Sequence, residues 1–167
     1  MTDVVHMWKE LRSVAAIPVV PGVAVRTYRD ARDVDAWIDL VSAAFALAQP
    51  SVAPWNHRRF SAEFLDRPWW EPARLWLAES TDDGGATRLL GTVALGQRGS
   101  PGPHARATVH WLAVRPDDRG RGVARLLMAT LEHACWQRGQ RRIHLETHTG
   151  WGAALRLYES LGYRRGT

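Results

Sequence analysis

Cysteine, lysine and long apolar runs are all scarce in this chain of 167 residues. The single cysteine, Cys135, excludes an internal disulfide and disfavours a metal site built from thiolates. No apolar run approaches the roughly 18 residues needed to span a bilayer, and Met1–Glu10 lacks the basic and apolar regions of a secretory signal. We therefore expect a cytoplasmic protein with no metal site and no membrane partner.

A glycine-bearing turn is the most informative segment that is present. The apolar run ending in Trp111–Val114 is followed by residues 119–124, Arg-Gly-Arg-Gly-Val-Ala, and then by helix-like sequence. Glycines let backbone N–H groups approach an oxyanion, and the first helical turn adds unpaired N–H groups, so the segment is typical of a phosphate site. A P-loop would need a lysine after its second glycine, but Lys9 is the only lysine. Arg125 stands where a dinucleotide fingerprint has its third glycine.

Two motifs connect the chain with a known family. Arg119, Gly122 and Ala124 satisfy the pattern Arg/Gln-x-x-Gly-x-Gly/Ala, and residues 153–163 match Ala-x-x-Leu-Tyr-x-x-x-Gly-Phe/Tyr. On these motifs the chain resembles the GCN5-related N-acetyltransferases, in which the turn holds the pyrophosphate of coenzyme A. Further likeness to mycothiol-synthase-like members lies in Pro21–Phe45 and in the segment from Phe64 to Ala73.

The resemblance covers residues 23–164 and implies a fold. It predicts an α/β domain of the α+β type at residues 21–167, with a mixed, mostly antiparallel central sheet flanked by helices. Residues 1–20 form an N-terminal arm outside that domain. Apolar periodicity and turn residues predict the individual elements. These are an amphipathic helix within residues 1–15, strands at 23–28, 74–79, 89–97, 108–114 and 142–147, helices at 33–45, 61–65, 122–138 and 152–161, and loops at 46–59 and 98–106.

The last two strands of the family have no evident counterpart, because only residues 164–167 follow Tyr163. The C-terminal strand pair is therefore expected to be shortened or missing, which would leave the edge of strand 142–147 open. Soluble proteins cover or pair such edges. We expect the N-terminal arm to cover it, or a second copy of the chain in a homodimer; a shortened or divergent end is the alternative.

The resemblance implies that acetyl-CoA is the cofactor and that its pantetheine arm lies between strands 108–114 and 142–147. The expected cofactor-binding residues are Leu112, Ala113, Val114, Arg119, Gly120, Arg121, Gly122, Val123, Ala124, Arg125 and Trp151. Relatives often have asparagine at the position of Trp151, so the acyl pocket is expected to differ. An ordinary strand-turn-helix junction is the alternative interpretation of the turn.

The basic balance of the chain does not by itself indicate nucleic acid. The formal net charge is +5 and the sequence pI is about 10.3. The basic residues are scattered, and their densest clusters lie at the phosphate turn and at the end of the following helix, where a polyanionic cofactor and the helix dipole account for them. We therefore expect no nucleic-acid partner.

Tyr158 is the expected proton donor, because it matches the tyrosine that in the family protonates the departing thiolate. A packing role on its helix is the alternative. Many relatives carry a glutamate as general base where this chain has Thr108, and threonine cannot accept a proton. Strand alternation places His110 on the same face, so we expect His110 to be the base. His144 and Glu146 share a face of the next strand and are its rivals.

The acceptor is the least determined feature. The resemblance places it opposite the cofactor, near the loop at residues 46–59, the tryptophans that follow Pro68 and the loop that contains His104. The candidate substrate-binding residues are Trp55, Trp70, His104 and Glu146, although core packing explains the tryptophans equally well. We expect an N-acetyltransferase that moves an acyl group directly to a small-molecule or peptide amine. A non-catalytic acyl-CoA-binding module is the main alternative, and an arginine-rich nucleic-acid binder is the third.

Overall fold

The computed structural model describes residues 3–100, 102 and 104–166. Met1 and Thr2 of the expected N-terminal helix, Pro101 and Pro103 of the expected loop, and Thr167 lie outside them. The strands are β1 (Val4–Glu10), β2 (Ala24–Thr27), β3 (Leu75–Thr81), β4 (Thr87–Arg98), β5 (Arg106–Val114), β6 (Arg142–His148) and β7 (Arg164–Arg165). The helices are α1 (Arg32–Ala44), α2 (His57–Phe60), α3 (Val123–Gln137) and α4 (Gly152–Ser160), with a π-helical turn at Ser61–Leu65.

The described strands form one mixed sheet in the order β2-β3-β4-β5-β6-β1-β7. Neighbours pair antiparallel except β5 and β6, which are parallel. A parallel pair needs a crossover connection, and α3 provides it. The expected mostly antiparallel α+β sheet is confirmed, and the expected strands and longer helices agree with the structure to within a few residues.

The predicted N-terminal helix is wrong, because the segment forms β1. This strand pairs along the whole of β6, from Val4 opposite His148 to Glu10 opposite Arg142. Local helical spacing favoured a helix, but an open strand edge offers backbone partners that local sequence does not reveal. The expectation that the N-terminal arm covers this edge is confirmed. The chain end also forms the two-residue strand β7, which pairs with β1 and not with β6.

The segment before the π-helical turn also differs from its prediction as a loop. Residues 57–60 form α2, whose first turn is capped by the Asn56 side chain accepting from the Arg59 N–H at 2.9 Å. Asparagine is a strong N-cap residue. The helix continues into the π-helical turn and carries Phe60 and Phe64 into the core, where both are buried.

Two apolar cores cover the sheet unequally. One lies between the sheet and the helices α3 and α4, and it extends from β3 to β1. The other lies under α1 and α2 around Trp37, and in the described part of the chain its buried residues on the sheet come from β3, β4 and β5 alone. The face of β6 and β1 beside α1 and α2 is therefore free of helices, which leaves an approach to the centre of the sheet.

Candidate active site

The turn after β5 presents a row of unpaired backbone N–H groups. Gly120 and Gly122 have φ angles of 76° and 87°, the left-handed conformation that favours glycine. The first hydrogen bond of α3 runs from the Leu126 N–H to the Gly122 carbonyl at 3.0 Å. Among the described residues, no group accepts from the N–H groups of residues 120–125. Together with the positive end of the helix dipole, these groups suit a phosphate.

Arginine side chains brace this turn. Arg119 donates to the carbonyl of the last residue of α1 at 2.8 Å. Arg121 donates to the buried carboxylate of Asp118 at 2.8 Å, and Arg125 donates to the Ser160 hydroxyl at 2.9 Å, which joins α3 to α4. The three expected arginines therefore hold the turn in place. The backbone N–H groups and the remaining N–H donors of these guanidinium groups can both bind an anion.

Strands β5 and β6 are paired only near the start of β5, and they separate toward the glycine turn that follows β5. They pair at Ala107 with Ile143 and at Thr108 with His144, and within the described residues no pair follows toward their C-terminal ends. A cavity of about 370 Å³ lies in this wedge, lined by residues of β1, β5, β6 and α4. The resemblance predicts such a divergence, and the structure contains it.

A β-bulge helps to turn β5 away from β6. Trp111 and Leu112 together face Val93 on β4, and Trp111 has a φ angle of 51°, which is unusual for a residue with a side chain. The Trp111 indole N–H donates to Glu63 at 3.0 Å, which holds the bulge against the π-helical turn. Leu112 lines the cavity, whereas Ala113 and Val114 pair with β4 and lie outside the cavity lining. Apolar periodicity gives no signal for a bulge, so sequence reasoning missed it.

Tyr158 lines the cavity from α4. Burial raises the pKa of its phenol above the ordinary value, so the hydroxyl stays protonated at neutral pH. The helix ends just beyond it at Gly162, whose φ angle is 91°, and the Tyr163 N–H bonds back to the Tyr158 carbonyl at 3.0 Å. This glycine-dependent helix end explains the Gly-Tyr pair of the second motif.

His110 lines the same cavity from β5. Its Nε2 lies 2.8 Å from the Thr108 hydroxyl, and its ring stacks on Trp69 with the centroids 5.9 Å apart. Burial, followed by the charge of Arg98, lowers its pKa to about 4. The imidazole is therefore neutral at pH 7, which leaves one ring nitrogen able to accept a proton.

The rival bases, His144 and Glu146, line the cavity from the adjacent strand β6. Glu146 accepts a hydrogen bond from Arg98 and lies 3.3 Å from the His6 Nδ1. The Arg98 hydrogen bond is the main cause that lowers the pKa of the Glu146 carboxyl. Burial and nearby arginines also lower the pKa of His144. Glu146 is thus engaged by two partners, whereas the Nδ1 of His110 has no hydrogen-bond partner among the described residues.

Three polar atoms near the start of α4 are buried and have no hydrogen-bond partner among the residues that the structure describes: the Thr147 Oγ1, the His148 Nδ1 and the Trp151 Nε1. All three residues line the cavity, and the Trp151 ring packs 4.6 Å from that of His148 and 5.3 Å from that of Phe45. An unpaired buried polar atom costs about 1–3 kcal/mol. The cluster therefore favours a polar ligand in the wedge. Sequence reasoning named Trp151 but missed the other two, which carry no motif.

The expected acceptor residues are not brought together. Trp55 is buried in the core, edge-on to Trp37 at 4.5 Å, and Trp70 packs on Tyr28 at 5.3 Å. His104 is exposed in the loop before β5. None of these three expected residues lines the cavity, whereas Glu146 does. The loop composition alone could not separate a core tryptophan from one that faces a ligand.

Two features are absent from the residues that the structure describes. No group of three or more histidine, cysteine, aspartate or glutamate side chains among them is placed to hold a metal ion. None of the helices in residues 3–100, 102 and 104–166 is both long and apolar enough to cross a bilayer.

Comparison with known proteins agrees with the fold. The model of the acetyltransferase (GNAT) family matches residues 35–163. The chain belongs to this family.

Among its sequence relatives are proteins named mycothiol acetyltransferase. That of Thermobispora bispora is 34% identical, over 100% of this chain and 56% of the relative. That of Salinispora tropica is 35% identical, over 95% of this chain and 52% of the relative. The chain thus spans about half the length of these relatives. A GCN5-related N-acetyltransferase from Sphaerobacter thermophilus shares the fold with a TM-score of 0.77 at 24% identity, over 99% of this chain and 49% of that one.

Proposed function

We propose that this chain transfers the acetyl group of acetyl-CoA directly to a primary amine. The observation that carries the proposal is the junction between the unpaired N–H groups of residues 120–125 and the wedge between β5 and β6. The turn directly follows β5, and β5 is one wall of the cavity. A ligand with a diphosphate at one end and an amide-bearing arm at the other matches both parts. Membership of an acetyltransferase family supports the same reaction.

The residues fit that cofactor in three places. The N–H groups at the start of α3 would hold the diphosphate. The unpaired strand edges in the wedge would bond the amides of the arm, as a neighbouring strand does. The Trp151 indole N–H, which has no partner in the structure, would donate to a carbonyl oxygen of the arm or of the acyl group.

The proposed chemistry needs one base and one acid. The thioester supplies an activated carbonyl carbon, to which the acceptor nitrogen bonds as the bond from carbon to sulfur breaks. His110 takes the proton that the acceptor nitrogen loses. Tyr158 donates its hydroxyl proton to the departing sulfur and is restored from solvent. Burial keeps both groups in the required form at pH 7, with the imidazole neutral and the phenol protonated.

The acceptor class is proposed as a small-molecule or peptide amine that enters over β6 and β1, where the sheet face is free of helices. The names of the sequence relatives make the unacetylated precursor of mycothiol one amine worth testing. Trp69 is better placed for the acceptor than Trp55 or Trp70, because it stacks directly on His110.

Two measurements test the proposal. Calorimetry should register binding of coenzyme A, and thiol release from acetyl-CoA should rise with at least one amine in a panel of peptides, amino sugars, aminoglycosides and the mycothiol precursor. Absence of heat from folded protein would contradict the cofactor assignment.

A matched pair of glycine variants sharpens the binding test. Gly120 and Gly139 have φ angles of 76° and 75°, and a Cβ at either would meet no atom within 4 Å. Both alanine variants should lose about 1 kcal/mol of stability. Only Gly120→Ala should weaken coenzyme A binding, by roughly tenfold for the loss of about one charge-assisted hydrogen bond. Equal weakening in Gly139→Ala would show that the turn is not specific.

A non-catalytic acyl-CoA-binding module is the second candidate. The presence of Thr108 where relatives carry a glutamate and the depressed basicity of His110 favour it. It predicts binding heat with coenzyme A but no thiol release with any amine, whereas an acetyltransferase gives both.

A further inference from the structure

Three residues surround the imidazole ring of His110. Thr108 lies beside it on the same strand, Trp69 stacks on it from the segment after α2, and Gly96 of β4 lies beneath it. The three contacts come from three separate parts of the chain. Together they fix the position of the imidazole ring in the structure.

Gly96 leaves room for the His110 ring, and its backbone conformation does not call for glycine. It is not among the glycines with positive φ, so its conformation is open to any residue. A Cβ built on Gly96 would lie 2.0 Å from the His110 Cδ2 and 2.3 Å from its Nε2, distances that no side chain tolerates. The absence of a side chain at this position creates the space in which the imidazole lies.

Thr108 contacts one of the two ring nitrogens of His110. A neutral imidazole has one protonated nitrogen and one with a lone pair, so a partner that accepts from one nitrogen leaves the lone pair on the other. The Thr108 hydroxyl lies 2.8 Å from the Nε2, whereas among the described residues the Nδ1 of His110 has no hydrogen-bond partner. A base that acts through Nδ1 must hold its proton on Nε2, and in that tautomer the Thr108 hydroxyl accepts the hydrogen bond from the Nε2–H.

We propose that Thr108 and Gly96 are positioning residues that hold His110 as the Nε2–H tautomer with the Nδ1 lone pair presented to the acceptor amine. This inference rests on the proposed function, and it assigns a role to the threonine that stands where relatives carry a glutamate. The proton passes from the acceptor nitrogen to Nδ1. The Nε2–H then donates to Thr108 from a charged ring, which strengthens that hydrogen bond.

Four charged side chains face His110 from different parts of the fold. Arg98 of β4 and Arg67, after the π-helical turn, disfavour the imidazolium, whereas Glu63 of the π-helical turn and Glu146 of β6 favour it. Burial outweighs them all. Because the ring is neutral across the physiological range, its tautomer and not its charge state determines whether the lone pair reaches the acceptor.

The test compares Thr108→Val, which removes the hydroxyl with little change of shape, with Thr108→Ser, which keeps it. Nitrogen NMR of histidine-labelled protein reads the His110 tautomer in the presence and absence of coenzyme A. We expect the Nε2–H tautomer in the wild type and in Thr108→Ser, and a mixture of tautomers in Thr108→Val. With the best amine of the panel, kcat of Thr108→Val should fall roughly tenfold, while KM for acetyl-CoA is unchanged. This loss is smaller than the roughly 10²–10⁴-fold that general base catalysis contributes, because part of the mixture keeps the active tautomer.

The double variant with His110→Ala separates positioning from folding. In that background the loss of the Thr108 hydroxyl should have no further effect on kcat, because the two residues act as a unit. Gly96→Ala should displace the ring and lower kcat to the level of His110→Ala, with a folded circular dichroism spectrum. An unchanged tautomer in Thr108→Val, or an additive loss in the double variant, would overturn the inference. If the wild type transfers no acetyl group, the proposed function fails, and the NMR result still decides the role of Thr108.

Discussion

Tyr158 and Tyr163 are both buried phenols near the end of the chain, but their surroundings differ. Tyr158 faces the cavity, whereas the Tyr163 hydroxyl donates to Glu132 at 3.2 Å in the core. We predict that Tyr158→Phe lowers kcat by about a hundredfold, because the departing sulfur loses its proton donor. The KM for acetyl-CoA and the melting temperature should change little. Steady-state kinetics at saturating amine measure this effect.

Tyr163→Phe is the matched control for Tyr158→Phe. It removes the same atom from a tyrosine outside the proposed chemistry, and it should cost about 1 kcal/mol of stability with kcat unchanged. If the two variants lose kcat equally, Tyr158 is a packing residue, as the alternative interpretation of the sequence held.

His110 should also make stability depend on pH. Its pKa is about 4 in the folded chain, against an ordinary value of 6.5. Between these values the unfolded chain binds a proton that the folded chain does not, so the free energy of unfolding falls as the pH falls from 6.5 toward 4. The full difference is roughly 3 kcal/mol. Urea unfolding at pH 7 and pH 4.5 should show that His110→Ala loses much of this dependence.

The control for the pH dependence is His104→Ala, which removes a histidine from an exposed loop. It should keep the wild-type difference between the two pH values. A His110→Ala variant with the same difference as the wild type would show that the imidazole is protonated equally in both states.

At the scale of elements, β1 is fixed to α3 by one ion pair. The Lys9 ammonium lies 2.9 and 3.0 Å from the two carboxylate oxygens of Glu132, whose side chain is 9% exposed. Lys9→Met would leave that carboxylate without its cation, so we predict a loss of about 3 kcal/mol in the free energy of unfolding. Replacement of both residues by methionine should restore most of the loss, since the buried charge is then gone too.

The exposed pair of Arg165 and Glu159 offers the comparison for Lys9. These side chains are 57% and 46% exposed, and exposed pairs contribute about 0–1 kcal/mol. Arg165→Ala should therefore shift the urea midpoint far less than Lys9→Met. Equal shifts would mean that the Lys9 pair is as well solvated as the surface one.

The elements that were predictable from the sequence are those with local signals. Both long helices of the C-terminal half end at glycines, Gly139 and Gly162, that adopt positive φ angles. β1 was not predictable, because its partner β6 lies more than 130 residues away in the sequence and only the assembled sheet shows the open edge. The Trp111 bulge depends on Glu63, and the core position of Trp55 depends on neighbouring aromatic rings. These contacts also join residues that are distant in the sequence, so neither feature was predictable. The glycine turn after β5 was predictable because its conformation depends on a few consecutive residues, Gly120 and Gly122 among them.

At the scale of the whole molecule, β1 occupies the sheet position beside β6 that a second copy of the chain would otherwise fill. An edge-to-edge homodimer is therefore not needed to satisfy the backbone groups of β6. Met7 and Leu11 of the N-terminal segment are 1% and 2% exposed, so the segment closes the core as well as the edge. We predict that the full chain is monomeric by light scattering.

Deletion of residues 1–12 should reverse that behaviour. It uncovers the backbone groups of β6 along seven residues and opens the apolar core beneath β1. Exposed edges pair with other chains, so the shortened protein should form dimers or larger assemblies whose light scattering rises with concentration. Deletion of residues 164–167 removes only the two-residue strand β7 and should leave the protein monomeric. A soluble monomer after the first deletion, with unchanged circular dichroism, would show that β1 is not what keeps this edge from pairing.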